Sequence, residues 1–419
     1  MLLSNEQTKR SSWEYFLLRA AREISLSEAQ YEKINDRYSQ LEKILSASDN
    51  PLLAEAHIFV QGSMRLKTTI KPIPGAPADL DTIDADAIIW LPHAQGAGAK
   101  EVLEAIEQRF KEGSRVQEEV KQLRRGIRVV YADENPGFHI DVTPARAING
   151  NDEANGEGKL EVPDRVTGWK ASSPIPYSNW LQVASAQEIS LESLAFAKSQ
   201  RMLDAATQDP LPHYQDYIDQ DPLRATIKLL KRHRDEWAIK TKSADTRPIS
   251  AVITTLATHA YLDVVKESQS KPLAPLDAIL EIVRRMPQHI AQRGSDCFVC
   301  NPADNGENFA EKWNRPGEGQ GYRQAFAKWH ADASASVSLG LESFESNDSF
   351  AEAVKKNFGI APAFIAAVNN EIPANWTMPG RPDGTTRNTA SMGSLFGGAS
   401  GGGTSQSSVK PVGRLGRSY

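Results

Sequence analysis

Cysteine is nearly absent from this 419-residue sequence, which has only Cys297 and Cys300. A C-x-x-C pair can be redox-active or half of a zinc site, and no second pair exists to complete the usual structural set. With Phe298-Val299 between them, a buried thiol pair is expected ahead of zinc, although His289 is near in sequence. Long apolar runs are also missing. None reaches the roughly 20 residues needed to span a bilayer, and Met1-Leu-Leu-Ser-Asn-Glu-Gln7 lacks the basic and apolar regions of a signal peptide, so the expected location is cytoplasmic. There is no excess of positive charge. A net charge of −5 argues against wholesale nucleic-acid coating, and no stable nucleic-acid partner is expected. Basic residues instead concentrate at 121–125 and 228–234, which leaves local basic surface for nucleotides. Internal repeats are absent too. The length suffices for two lobes and a sizeable core, and the composition is that of an ordinary soluble protein.

Three short motifs in order carry the chemistry: Gly62-Ser63, then Asp84-Ala85-Asp86 running into an apolar stretch that ends at Leu91, then Phe138-His139-Ile140-Asp141. Side chains two apart on a strand share a face and lie roughly 6.6 Å apart along it, so Asp84 and Asp86 can both reach a pair of divalent ions. Asp141, on another strand, can close the site from the side. Mg²⁺ takes carboxylate and phosphate oxygens, and a two-ion site stabilises the attacking and leaving oxygens of an in-line displacement. Residues 57–61 read as a strand and Met64 can open a helix. The turn between them presents free N–H groups to an anion, with Gly62 allowing close approach and Ser63 offering a hydroxyl. Each motif alone is also an ordinary turn or solvated loop; in order, beside hydrophobic strands, they favour an enzyme. Asp79 and Asp81 lie just upstream, and Asp84 and Asp86 are chosen because they enter the apolar run directly.

The first fifty residues read as helix, with Tyr31, Ile34, Tyr38, Leu41 and Leu45 at three-and-four spacing and a capping box expected over Ser25–Glu28. This amphipathic helix should pack along the catalytic lobe. Strands are expected at 57–61, 84–91, 127–132 and 138–143, with a helix near 100–112, which makes an α+β lobe. Residues 145–185 should be loop with short strands, Trp169 and Trp180 serving as core anchors. From about 186 the pattern turns helical. Leu223, Ile227 and Leu230 share one face with basic residues elsewhere around the helix, a helix begins just after Pro248, and others are expected at 275–285, 320–335 and 348–369. After Pro373 the composition changes, and the Gly/Ser-rich stretch 393–408 is a flexible tail. The expected division is 1–185 catalytic, 186–370 helical and 371–419 tail.

With these residues assembled, the chain resembles the bacterial CD-NTases, relatives of cyclic GMP-AMP synthase that make cyclic oligonucleotide signals in antiphage defence. The resemblance spans nearly all of residues 1–370. It is carried by Val60-Gln-Gly-Ser-Met-Arg-Leu-Lys-Thr68, the Asp84/Asp86 strand, Gly137–Pro144, Leu229–Arg234, Pro248-Ile-Ser250 and Asn301–Trp313. It implies a bilobal, polymerase-β-like nucleotidyltransferase fold with a mixed sheet, a helical C-terminal lobe and a central cleft. By position, Gln61, Gly62 and Ser63 become nucleotide-binding residues, Lys231 the lysine on the donor triphosphate and Ser250 a hydroxyl that assists it. Lys228 could equally face the cleft, and a solvated basic helix face is the plainer reading of that cluster. Asp84, Asp86 and Asp141 become ligands of two Mg²⁺ ions, with Mn²⁺ as an alternative. The implied reaction joins ATP and other NTPs by attack of a ribose hydroxyl on an α-phosphate with release of pyrophosphate, Asp141 assisting deprotonation. The product is a cyclic di- or trinucleotide, with a lean towards an adenine-containing trinucleotide. The resemblance also allows a HORMA-type regulator or ubiquitin-like conjugation at the C-terminal tail. Competing readings are a linear oligoadenylate synthase or RNA-terminal nucleotidyltransferase, and a catalytically silent nucleotide-binding scaffold.

Overall fold

The computed structural model describes residues 4–113, 118–131, 136–148, 156–191 and 221–388. At the centre of one lobe lies a mixed sheet whose strands β1 (His57–Gln61), β2 (Ile83–Trp90), β3 (Glu118–Gln122), β4 (Ile127–Tyr131) and β5 (Phe138–Ala147) run in the spatial order β1-β2-β5-β4-β3. β2 and β5 are parallel, and the other neighbours are antiparallel. Ile83, Ala85, Ala87 and Ile89 of β2, Ile127 and Val129 of β4, and Phe138, Ile140 and Val142 of β5 enter a single apolar core. That core is covered by α2 (Glu28–Ser46) and by α4 (Ala99–Gly113), the second on a row of Val102, Leu103, Ile106 and Phe110. Because side chains alternate along a strand, the polar residues between these positions emerge together on the other face. α2 buries Ile34, Tyr38, Leu41 and Leu45 as its spacing predicts, while Tyr31, first in the row, stays half-exposed.

Several local expectations are corrected. The capping box of α2 uses Ser27 and Gln30, not Ser25 and Glu28: Ser27 Oγ accepts the Gln30 N–H and the Gln30 side chain accepts the Ser27 N–H. Ser25 is engaged elsewhere, donating to the Ala21 carbonyl and accepting from Lys228 Nζ. Residues 145–185 hold more structure than their proline and glycine content suggested. β6 (Leu160–Asp164) and β7 (Gly168–Ser172) form a hairpin on the end of β5, followed by α5 (Pro174–Ser185). Proline in the first helical turn costs no hydrogen bond, so Pro174 and Pro176 start this helix rather than break it. Trp169 is partly buried beneath the Arg146 guanidinium, 3.9 Å from its ring centre, and Trp180 stacks on Tyr177.

The second lobe is built from α5, α6 (Pro222–Thr241), α7 (Ser250–Ser268), α8 (Pro275–Arg285) and α9 (Gly319–Val337) around one large core. α1 (Asn5–Glu23) belongs here as well. Its Trp13, Phe16, Leu17, Ala20 and Ala21 pack against Leu229, Leu276, Ile279, Phe350 and Phe358, so the helical lobe draws on both ends of the chain rather than on 186–370 alone. The stretch expected as one helix over 348–369 is two, α10 (Asn347–Phe358) and α11 (Pro362–Glu371). Gly359, at φ +62°, ends the first in the left-handed conformation that glycine adopts without strain, and Pro362 opens the second. Cys297 is buried on one two-stranded ribbon and Cys300 partly buried on the next, both as free thiols; His289 lies 3.1 Å from Asp263.

Packing does not stop where the composition changes at Pro373. Thr377 is fully buried and shares a hydrogen bond with Thr8 at 3.2 Å, the Gly380 N–H donates to the Gly340 carbonyl at 2.7 Å, and Asp383 pairs with Lys9 at 3.4 Å. Residues 372–388 thus lie as a strap along α1. The Gly/Ser stretch 393–408 and the basic end 409–419 lie outside the described residues.

Candidate active site

Alternation along the sheet puts Asp84, Asp86, His139, Asp141 and Arg128 on the face turned away from the apolar core. Parallel register then aligns them across strands: Asp84 stands opposite His139 and Asp86 opposite Asp141, while Arg128 is antiparallel to Asp141 on the far side. His139 Nε2 lies 2.8 Å from Asp84 Oδ1, and Arg128 donates two hydrogen bonds to Asp141, of 2.6 and 2.7 Å. Ligand atoms of Asp84, His139 and Asp141 lie within 4.8 Å of one another. Asp86 is held from behind, its carbonyl accepting the Tyr38 hydroxyl at 2.7 Å.

The Gly-Ser turn completes this wall. β1 ends at Gln61 opposite Asp86, and a short helix, α3 (Gly62–Leu66), starts immediately. Gly62 has φ +61°, and a Cβ there would stand 2.0 Å from Asp86 Oδ2. Only glycine allows both the turn and the close approach of carboxylate to backbone. Ser63 Oγ accepts from the Thr69 hydroxyl at 3.1 Å, and the side-chain amide Oε1 of Gln61 is buried on the wall with no donor among the described residues.

Facing the sheet is α6. Leu223, Ile227 and Leu230 are fully buried, as their spacing requires, but the basic side of the helix is not solvated. Lys228, Lys231, Arg232, His233 and Arg234 are all buried. Lys228 points to Ser25, away from the cleft. Lys231 lines the cleft and donates to the Thr68 carbonyl at 2.8 Å. Arg234 pairs with Asp235 and donates to Ser250 Oγ at 3.0 Å, which places that hydroxyl at the start of α7 and on the cleft wall. The space between the walls is about 300 Å³. Its lining includes Gln61, Gly62, Ser63, Asp84, Asp86, Lys231 and Ser250. Asp141 sits beyond its edge, under Arg128. Asp81 lies in the 3-10 turn Ala78–Asp81 and does not line the cleft.

Crowding sets the electrostatics. Burial pushes the Asp86 carboxyl well above its usual range, and the charges of Asp84 and Asp141 push it further. Burial would raise Asp84 too, yet the His139 hydrogen bond and charge, with Arg128 and Lys231, hold it below the usual range. Lys231 is drawn down to about 7 by burial and by Arg234, against the opposing pull of Asp235, Asp84 and Asp86. Carboxylates that repel one another in a recess, with oxygens as the donor atoms, fit a hard divalent cation.

The family model for a Second Messenger Oligonucleotide or Dinucleotide Synthetase domain matches residues 12–184. A c-di-GMP synthase of Roseivirga ehrenbergii is 24% identical over 321 residues, 75% of each chain. The solved CD-NTase CdnG of Bradyrhizobium diazoefficiens, in complex with GTP, superposes with a TM-score of 0.63 at 20% identity, over 84% of this chain and 97% of that one. The chain thus carries a match to this domain over residues 12–184 and shares its fold with a bacterial CD-NTase. The matched domain is named for synthesis of second-messenger oligonucleotides or dinucleotides, and CD-NTases are metal-dependent. The matched domain runs from within α1 to within α5, so Lys231 and Ser250 stand outside it. The described residues include no helix long and apolar enough to cross a membrane.

Sequence reasoning assigned no role to His139, Arg128, Arg65, Arg234 or Arg247. His139 was legible in principle, since it stands two residues before Asp141 and must share its face. Arg128 was not, because the register of β4 on β5 leaves no mark in either strand alone.

Proposed function

We propose that the cleft binds an NTP with its triphosphate between the Gly62-Ser63 turn and Lys231, and an acceptor ribose hydroxyl beside Asp141. One observation carries the reading: three carboxylates from two register-aligned strands crowd one face of the sheet beside that turn. Asp84, Asp86 and Asp141 would hold Mg²⁺, two ions on the reading that all three serve, with Mn²⁺ as a substitute; when bound, the metal supplies Lewis-acid stabilisation of the phosphoryl oxygens. The protein's own part is alignment. Lys231 offers a charge to the triphosphate, Ser250 adds a neutral hydrogen bond, and Gln61 brings an acceptor without a donor to the same wall. Deprotonation of the attacking hydroxyl falls to Asp141 once Arg128 yields one of its two contacts.

For the product, the adenine-containing trinucleotide implied by the resemblance has no cleft residue behind it. The named relative makes c-di-GMP and the structural neighbour holds GTP, so we favour GTP as a substrate and a guanine-containing cyclic dinucleotide as the product. A role in antiphage defence, with a HORMA-type or ubiquitin-like partner acting on residues 409–419, belongs to the same proposal and rests on the family resemblance. Incubation with the four NTPs and Mg²⁺, followed by phosphatase treatment and mass spectrometry, tests it. A phosphatase-resistant cyclic product containing guanine is expected. A linear product would favour the oligoadenylate-synthase alternative, and no pyrophosphate release at all would favour the silent scaffold.

A further inference from the structure

The cations that line the cleft differ in one respect. Lys231 is tied to the Thr68 carbonyl, Arg234 to Asp235 and Ser250, Arg247 lies 4.0 Å from Asp235, and Lys71 lies 3.9 Å from Glu23. Arg65 has neither a carboxylate nor a hydrogen-bond acceptor among the described residues, and its Nε is buried without a partner. Its guanidinium lies over the ring of Phe59, 5.9 Å from the centroid. Phe59 is itself fixed, on β1 opposite Ile88 and packed beneath Gly156, where a Cβ would come within 2.9 Å of the ring. The arginine is therefore held on the catalytic wall two residues past Ser63, half-buried, with its fork unspent.

A guanidinium withdrawn from water without an anion is costly, and burial lowers its proton affinity. The fork matches two oxygens of one phosphate, which a lysine cannot do. We propose that Arg65 is a phosphate-recognition residue of this cleft that grips the 5′-polyphosphate of a bound nucleotide. The inference rests on the nucleotidyltransferase reading of the site. The polyphosphate has two sources with the same chemistry: the triphosphate of the NTP being attacked, and the 5′-triphosphate retained by the acceptor nucleotide or linear intermediate.

The test is binding of a non-hydrolysable GTP analogue and of GMP, in the presence of Mg²⁺, to the wild-type protein, Arg65→Ala and Arg65→Lys. Loss of the fork should weaken the triphosphate at least about 10-fold in the alanine variant and leave GMP unchanged, with partial recovery in the lysine variant. Equal weakening of both ligands in variants that melt like the wild type, or no weakening of the triphosphate, overturns the proposal. If Arg65→Ala does not fold, the lysine variant decides, because it keeps charge and stem and loses only the fork. The sources separate in the first coupling step, with a chain-terminating 2′,3′-dideoxy-NTP as donor and either GTP or GMP as acceptor. Arg65→Ala should slow extension of GTP more than extension of GMP if the acceptor's phosphates are held, whereas both should slow alike if the donor's are. Wild-type binding without any phosphodiester product would sink the proposed activity and leave the Arg65 assignment standing.

Discussion

The two walls of the cleft handle charge in opposite ways. On the sheet, Asp84, Asp86 and Asp141 are drawn together by strand register until burial and mutual repulsion push the Asp86 carboxyl well above its usual range. On α6, the basic residues are buried more deeply than the aspartates, but Lys228, Lys231, Arg232 and Arg234 each have an oxygen of their own. One wall stores repulsion that a ligand can relieve, and the other is satisfied before any ligand arrives. A binding wall of the first kind gains affinity from the ligand's charge; one of the second kind contributes shape and a modest, replaceable hydrogen bond.

The sharpest way to break this comparison is at Asp86. Asp86→Asn should cost at least about 100-fold in nucleotide incorporation, as loss of a central electrostatic group does, and yet raise the melting temperature of the nucleotide-free protein, because a neutral amide ends the repulsion with Asp84 and Asp141. The sign follows from the raised carboxyl: its favourable contribution is present when protonated and is lost as pH rises, so the stabilising effect should shrink in acid. Asp84→Asn and Asp141→Asn should be equally inactive, but without that gain, since each weakens a hydrogen-bonded pairing, with His139 or with Arg128. Incorporation assays beside thermal melts in metal-free buffer would check all three; a melting temperature of Asp86→Asn below that of the wild type would refute the repulsion.

A smaller effect is expected across the cleft. Lys231→Ala should raise the NTP requirement about 10-fold, with saturated turnover changed less, because a contact made in ground and transition states alike is uniform binding. Steady-state kinetics over a range of NTP concentrations separates the two, and a pure turnover defect would assign Lys231 to the chemistry instead. Ser250→Ala should act in the same direction and more weakly, a neutral hydrogen bond being weaker than a charge-assisted one.

Smallest is a control placed away from both walls. Glu14 of α1 is buried, and burial lifts its carboxyl to about 8, against a backbone hydrogen bond from Leu276 and the charge of Arg10. A raised carboxyl contributes stability that is full below its unfolded value of 4.5 and is lost as pH climbs towards 8. Glu14→Gln keeps an acceptor for Leu276 and should stabilise the protein at pH 7 by on the order of 2 kcal/mol, with the advantage vanishing below pH 4.5. Chemical denaturation at pH 7 and pH 4 is the measurement, and incorporation should not change.

Much of the catalytic wall was legible because its signal is local. Asp84 and Asp86 flank Ala85 and precede an apolar run, so alternation alone put them on one face, and Gly62-Ser63 sits where a strand must turn into a helix. What stayed hidden depends on pairing across the chain. α1 was read only as part of a helical first fifty residues, which does not say which core takes it, and its Trp13, Phe16 and Leu17 go to Phe350 and Phe358 rather than to the neighbouring sheet. Register decides that Arg128 meets Asp141. On α6, composition suggested a wet basic face, and only the strap of carbonyls from Thr68 and Lys71 shows how these cations are accommodated inside. Beyond Pro373 the glycine content disguised a segment fixed by a few backbone contacts.

The placement of α1 reaches beyond the folded state to the order in which that state is made. The sheet core draws on one continuous span of sequence, and that lobe can close as soon as β5 has been synthesised. α1 emerges earlier still, yet the indole of Trp13 waits for the Val337 carbonyl, 324 residues downstream, and Thr8 waits for Thr377, 369 residues away. Contacts of such separation form slowly and last. A nascent chain therefore spends most of its synthesis with a finished sheet and an uncovered aromatic helix at its leading end. The helical wall of the cleft shares that late core, since Ala225 and Leu229 of α6 pack there with Trp13, Phe350 and Phe358.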